Sequence, residues 1–398
     1  MRERLMTRDT PNVDTDKTPD LREPEQATLL TTLGTWSPLK PDAGVTDSAA
    51  IDFLRDVLQA ETLVVLTGLG TSLGIRTSVG TAPTMAALLK AVQGLDSYQH
   101  VQTDFSSTAL KNVESMLSES ILHNQLTPDA RWVTFIEQAE RQILTMCQFV
   151  QPSAELPIHE KLLRTIARRS PKLPRAQLFT TNYDLAFEVA AGSTRTTVVD
   201  GFSWAGVPVF DGSWFDVDFV RQLPDRRTTP EMNVLHLLKL HGSVGWDRDG
   251  SHIIKTHSTP KHPVLIYPSQ DKYQWSYQQP YQELIARLQI ALRQPGVGVL
   301  IIGYGFNDEH INAPILNAIR ANVNLKLVAV SPGMRSPAEG SLPQTIQRYI
   351  IEGDSRLALI AGTFKDLVEV LPTLEQGDDR DEHFTRVERV DAIPDGLE

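Results

Sequence analysis

Two hydrophobic periods alternate along this chain. Short unbroken runs of Val, Leu and Ile give way to stretches where apolar residues recur every three or four positions. The first run, TLVVLT at 62–67, ends in glycines and predicts a fully buried strand. Pro83 predicts a helix start with Thr81 or Ala82 near its cap, the helix running through Val92. Leu110, Val113, Leu117 and Ile121 then fall at helical spacing. Thr127-Pro128-Asp129 is a cap-and-start signal for a second helix, with Trp132, Ile136, Ala139 and Ile143 on one face. A third helix, at 158–169, stops at Ser170-Pro171. Strands are predicted at 176–180, 196–200, 234–240, 263–267, 297–302 and 325–330, with helices at 184–191, 282–293 and 309–321. Continuous apolar runs separated by helices imply a mostly parallel sheet covered on both faces. The expected fold is therefore α/β, doubly wound and Rossmann-like, over residues 51–372. The helices of about 101–170 read as an insertion into that frame.

Residues 1–50 are rich in Thr, Asp and Pro and weakly patterned, which predicts a polar, flexible arm. Residues 373–398 read as an acidic tail. Residues 1–20 contain no apolar core of a secretory signal, and no apolar run approaches the roughly 20 residues that span a bilayer. The expectation is a cytoplasmic protein without a membrane partner.

Composition narrows the function. Asp and Glu number 49 against 38 Lys and Arg, and the net charge of −11 argues against direct nucleic-acid binding. The basic run Lys161, Arg164, Arg168, Arg169, Lys172 and Arg175 reads as a solvated helix face and the loop after it, ahead of a docking surface for an acidic partner. Cys147 is the single cysteine, which excludes a disulfide framework and a cysteine-built zinc site. It falls in a helical pattern and reads as core.

Four turns at predicted strand ends carry the candidate chemistry, because open parallel sheets gather ligands at that edge. The first is Thr67-Gly68-Leu69-Gly70-Thr71-Ser72-Leu73-Gly74. Its glycines allow close backbone approach to a pyrophosphate, although a tight turn explains them equally well. Its spacing is not G-x-G-x-x-G, and no acidic residue stands about 20 positions on, so it is unlike an ordinary dehydrogenase. The second is Thr180-Thr181-Asn182-Tyr183-Asp184, where Asp184 suits a helix cap but Asn182 is not needed for one. The third is Lys239-Leu240-His241-Gly242-Ser243-Val244. His241 is either a general base or a buried, bonded histidine, and His236 nearby reads as the latter. The fourth is Gly303-Tyr304-Gly305-Phe306-Asn307-Asp308, whose last two residues suit helix capping or ribose hydroxyls. No G-x-x-x-x-G-K-[ST], no H-E-x-x-H and no nucleophile elbow around Ser243 is present.

GLGTSLGI, TTNYD, KLHGSV and IIGYGFND, in that order, resemble the sirtuin-like family. They are most similar to the branch of bacterial antiphage systems whose members hydrolyse NAD. The run from Thr67 through the APTM at 82–85 is most similar to the subunit that partners a HerA-type ATPase. Deacetylating sirtuins carry a four-cysteine zinc ribbon, a Gln where Thr181 stands, and a Gly-Thr-Ser loop where this chain has Gly303-Tyr304-Gly305-Phe306. The resemblance thus implies an NAD glycohydrolase of antiviral defence without a ribbon. NAD would be substrate and no metal would be required. Gly68, Gly70, Thr71 and Ser72 would hold phosphates, Asn182 and Asp184 the nicotinamide ribose, and Gly303, Gly305, Asn307 and Asp308 would complete the cofactor site. Asn182 and His241 would be catalytic, with His241 as base. A homo-oligomer stacked on the ATPase ring is implied. Two alternatives stay open: a non-catalytic NAD or ADP-ribose module, and an NAD-dependent deacylase.

Overall fold

The computed structural model describes residues 27–31, 34–40, 48–204, 206–265 and 279–374. Strands β1 (Thr28–Leu30) and β2 (Trp36–Pro38) precede helix α1 (Ser48–Leu58) and the buried run β3 (Thr62–Thr67). Helices α2 (Met85–Gln93), α3 (Val113–Leu126), α4 (Ala130–Cys147) and α5 (Pro157–Ala167) follow. The chain returns to the sheet with β4 (Gln177–Thr180), α6 (Ala186–Ser193) and β5 (Thr197–Val199). A hairpin of β6 (Val220–Gln222) and β7 (Thr228–Pro230) leads into β8 (Val234–Lys239). Strands β9 (Gly242–Asp249), β10 (His252–Lys255) and β11 (Pro263–Leu265) form a small antiparallel sheet. The last part alternates: α7 (Tyr281–Leu292), β12 (Val297–Ile302), α8 (Glu309–Ala321), β13 (Lys326–Val330), α9 (Leu342–Ile351), β14 (Leu357–Ala361) and α10 (Phe364–Val370).

The main sheet runs β2-β1-β14-β13-β12-β3-β4-β8-β5. Pairing is parallel from β14 through β5, while β1 joins β14, and β2 joins β1, antiparallel. The α/β, mostly parallel, Rossmann-like class read from the sequence is the observed one. The chain builds from β3 through β4 to β5 and β8 on one side, then crosses to β12 and builds through β13 to β14 on the other. The order therefore switches between β3 and β12, the place along the carboxyl edge where open α/β sheets bind their ligands.

Alternation within the unbroken runs explains the two covered faces. Val64 and Leu66 of β3, Val299 and Ile301 of β12, and Leu327 and Ala329 of β13 point into one core with α7, α8 and α9. Leu63 and Val65, Leu300 and Ile302, and Val328 and Val330 point into the other, with α1, α5, α6 and α10. Each such fully buried Val, Leu or Ile contributes about 1.5–3 kcal/mol of hydrophobic stabilisation. A third core joins α2, α3 and α4 and reaches Val244 and Leu265 of the small sheet. Of the expected insertion, α3 and α4 thus pack with α2 over their own core, whereas α5 lies on the main sheet through Leu162, Leu163 and Ile166.

Several local expectations shift. Strands β1 and β2 fall inside the stretch expected to be an unpatterned arm, and Leu29 and Leu30 are buried. Residues 1–26 and 375–398, which hold most of the expected arm and tail, lie outside the described residues. Helix α2 starts at Met85 because the Thr84 hydroxyl accepts from the Ala87 amide. On α4, Phe135 rather than Ile136 enters the core beside Trp132, Ala139 and Ile143. The basic run is not all solvated. Arg169 is buried and donates to the Leu58, Ala60 and Glu61 carbonyls at the end of α1. Arg175 binds Asp218 and the Glu231 and Phe219 carbonyls.

Candidate active site at the carboxyl edge of the sheet

Strand register sets the site. Ile302 stands opposite Thr67, Thr67 opposite Thr180, and Thr180 opposite Lys239. Four strands therefore end in one row, and the next residues are Gly303, Gly68, Thr181 and Leu240. The four turns singled out in the sequence leave the sheet side by side along its switch point.

The two glycine turns pack on each other. Gly70 N donates to Gly303 O at 2.9 Å and Gly68 N to Ile302 O at 3.1 Å. A Cβ on Gly70 would meet Gly303 Cα at 2.5 Å, so any side chain there forces the backbones apart. Gly303 itself adopts φ +59°, a left-handed conformation that glycine takes without steric cost. The glycines are thus required by backbone-to-backbone contact between β3 and β12.

Asn182 ties this frame to β4. It is buried, and its Nδ2 donates to Gly68 O at 3.0 Å, Thr71 Oγ1 at 3.1 Å and Ser72 Oγ at 2.9 Å. Ser72 Oγ in turn donates to Asp184 Oδ2 at 2.7 Å, and Thr71 Oγ1 donates to Gly68 O at 2.9 Å. Asp184 Oδ1 accepts from the Ala186 amide at 3.0 Å, so this buried carboxylate serves the start of α6. Buried Lys239 donates to the Asp184 carbonyl and, at 3.0 Å, to Glu188 Oε1, clamping α6 to the end of β8. Thr71, Ser72, Asn182 and Asp184 therefore form one hydrogen-bonded cluster.

His241 lies between β8 and β9 and is buried. Its position is fixed by Gly242 (φ +89°), where a Cβ would lie 2.0 Å from the Val264 carbonyl oxygen. The glycine beside the histidine thus answers to the close approach of β11. Across the switch point, the fourth turn presents Asp308 and His310 from the start of α8. Ligand atoms of His241, Asp308 and His310 lie within 4.8 Å of one another, and the two imidazole centroids are 5.6 Å apart. Asp308 occupies the cap position of α8, yet its side chain makes no capping bond. Phe306 adopts φ +57°, a strained value for a non-glycine residue, and Asn312 Nδ2 holds its carbonyl at 2.8 Å. Gly305 and Asn307 are exposed on this turn, apart from the buried cluster.

His310 and Asn312 were not singled out in the sequence, although both sit in a helix that was. The available signal was a histidine two residues after Asp308 and an asparagine on the apolar face of α8. His236 is half-buried against Phe215, and burial pulls its imidazole down to about 4. Ser243 is buried in β9, its Oγ 3.5 Å from the Tyr183 carbonyl. Cys147 ends α4 as core; burial, followed by the Asp184 charge, pushes its thiol up to about 12. No described helix is long and apolar enough to cross a membrane.

Residues 176–350, from the start of β4 to α9, match the model of the SIR2-like domain. The match supports a sirtuin-like family and NAD-related activity. No curated protein matches the chain. Among solved structures, it is similar to the crystal structure of cytosolic 5'-nucleotidase IIIB bound to cytidine. That likeness has 9% identity and a TM-score of 0.30, covers 85% of this chain and 93% of the other, and bears on neither fold nor function.

Proposed function

We propose that the protein is an NAD glycohydrolase that releases nicotinamide and ADP-ribose. The observation that carries this reading is that Asn182 and His241 each stand two residues beyond a register pair, Thr180 opposite Lys239, at the ends of neighbouring strands inside a SIR2-like match. In the reaction, the bond between ribose C1′ and the nicotinamide nitrogen breaks. Its electron pair neutralises the nicotinamide ring while positive charge builds on C1′. A water oxygen bonds to C1′, and neutral His241 accepts the proton. A positioned base of this kind contributes about 10²–10⁴-fold. Asn182 keeps the β3 turn and the β4 turn in register around the reacting ribose.

By resemblance, the protein works in antiphage defence as a homo-oligomer with a HerA-type ATPase, depleting NAD during infection. Incubating the pure protein with NAD, alone and with that ATPase, and following nicotinamide release tests the activity. No turnover under either condition sinks it. Light scattering that gives a monomer mass at micromolar concentration removes the homo-oligomer. A second reading, NAD or ADP-ribose binding without hydrolysis, draws on the internal use of Asn182 Nδ2. Calorimetric NAD binding, together with unaltered behaviour of His241→Ala in cells, favours it.

A further inference from the structure

We propose that His241, Asp308 and His310 form a site for a divalent transition-metal ion, and that the bound ion inhibits hydrolysis by occupying the His241 imidazole. Among the described residues, this is the group of three His, Cys, Asp or Glu side chains whose ligand atoms all converge within 4.8 Å. Two imidazoles and one carboxylate are the donor set of zinc, cobalt, nickel and ferrous iron, whereas magnesium and calcium take oxygen. The donors come from two well-anchored elements. His241 is the buried ligand, held at the β8–β9 junction by the Gly242 contact with β11. Asp308 and His310 are half-buried and flank the first residue of α8, on the solvent side of His241.

The spacing suits an ion after a small closure. Ligands about 2.1 Å from a tetrahedral zinc lie roughly 3.4 Å from one another. Side-chain rotation of Asp308 and His310 supplies the difference. Three protein ligands leave one coordination position open. A metal-bound imidazole nitrogen has no lone pair left for a proton, so an occupied site removes the base. The inhibitory consequence rests on the hydrolytic reading; the binding site itself does not.

The test uses the full chain without an added histidine tag, stripped with a chelator, and titrated with Zn²⁺ by calorimetry. One zinc per chain is expected. His310→Ala is expected to weaken binding by at least about tenfold. In the NAD assay, Zn²⁺ should inhibit the wild type, and His310→Ala should keep its basal turnover while its inhibition midpoint shifts by the same factor. Cobalt substitution of the wild type should give a d–d spectrum without a thiolate band, a readout that needs no variant. Unchanged zinc affinity in both His310→Ala and His241→Ala overturns the site, as does a thiolate band, which would place the ion at Cys147. Activation by Zn²⁺ overturns the inhibitory role. Zinc bound by a protein with no hydrolysis under any condition removes the glycohydrolase reading and leaves the site standing, while hydrolysis without zinc binding does the reverse.

Discussion

Replacing Asn182 separates its chemical role from its structural one. One buried amide group reaches three oxygens, Gly68 O, Thr71 Oγ1 and Ser72 Oγ, at 3.0, 3.1 and 2.9 Å. Asn182→Ala removes two N–H donors from this buried cluster, while Gly68 O keeps its bonds from Thr71. At about 1 kcal/mol net per bond, with a further penalty for buried acceptors left unpaired, the cost is roughly 2–4 kcal/mol. Asn182→Asp keeps the shape but turns the donor into an acceptor. Neither hydroxyl can serve the new carboxylate without breaking its own bond, because Thr71 donates to Gly68 O and Ser72 to Asp184. The aspartate is therefore expected to be less stable than the alanine at pH 8. Its folded-state carboxyl is raised above the unfolded value, so stability is retained at low pH and lost as pH rises through the folded value. Urea unfolding followed by tryptophan fluorescence at pH 5 and pH 8 measures this, alongside nicotinamide release, which both variants should lose. Equal midpoints for wild type and Asn182→Ala would refute the network. So would an Asp variant that tracks the Ala variant at both pH values.

His241→Ala should lower nicotinamide release by about 10²–10⁴-fold with an unchanged melting curve, and a variant that unfolds would make His241 structural. Glu140 gives a pH prediction: burial, then the neighbouring Glu137 charge, raises its carboxyl from 4.5 to about 7. The ionised form is disfavoured in the fold, so stability falls between pH 4.5 and pH 7, and Glu140→Gln should stabilise at pH 8 by up to about 3 kcal/mol with no gain below pH 4.5. Arg169→Leu removes the donors to the Leu58, Ala60 and Glu61 carbonyls and should cost about 2–4 kcal/mol in urea unfolding.

The parts of the fold legible in the sequence are those specified locally. The runs at 62–67 and 297–302 coincide with β3 and β12, because six-residue, β-branched, largely apolar runs that end in glycine turns suit a strand buried on both faces. β1 and β2 have three residues each, too short to show a period, and exist through the pairing of β1 with β14 and of β2 with β1. Arg169 sits in a run of basic residues that local charge marks as solvated; what buries it is the end of α1, over 100 residues earlier. The same limit applies to the site. The sequence marks four polar turns, but that Gly70 faces Gly303, or His241 faces His310, follows from strand order and register. His310 lies in a predicted helix and His241 at a predicted strand end; only the strand order brings the two together.

Strand order also changes what the first glycine turn does for a dinucleotide. A helix N-terminus or glycine turn holds phosphate through amides that lack internal partners. Here Gly68 N is bound to Ile302 O, Gly70 N to Gly303 O, Thr71 N to Gly68 O, and both Ser72 N and Leu73 N to Leu69 O, all between 2.9 and 3.1 Å. The Thr71 and Ser72 hydroxyls are equally engaged. In this conformation residues 68–72 are a frame, and a phosphate held by this turn would have to sit beyond it, toward exposed Gly74, where an added Cβ would meet nothing within 4 Å. Two glycines of one motif should therefore respond oppositely. Gly70→Ala drives a methyl into Gly303 and should lower stability by about 1–3 kcal/mol, the usual cost of overpacking. If the phosphates sit there, Gly74→Ala should melt like the wild type, because its methyl meets no protein atom, and should raise the KM for NAD. Thermal melts and NAD kinetics on the two variants decide the matter. If Gly74→Ala leaves KM unchanged while Gly70→Ala raises it without loss of stability, the phosphates bind at residues 68–72 and that turn must open to receive them.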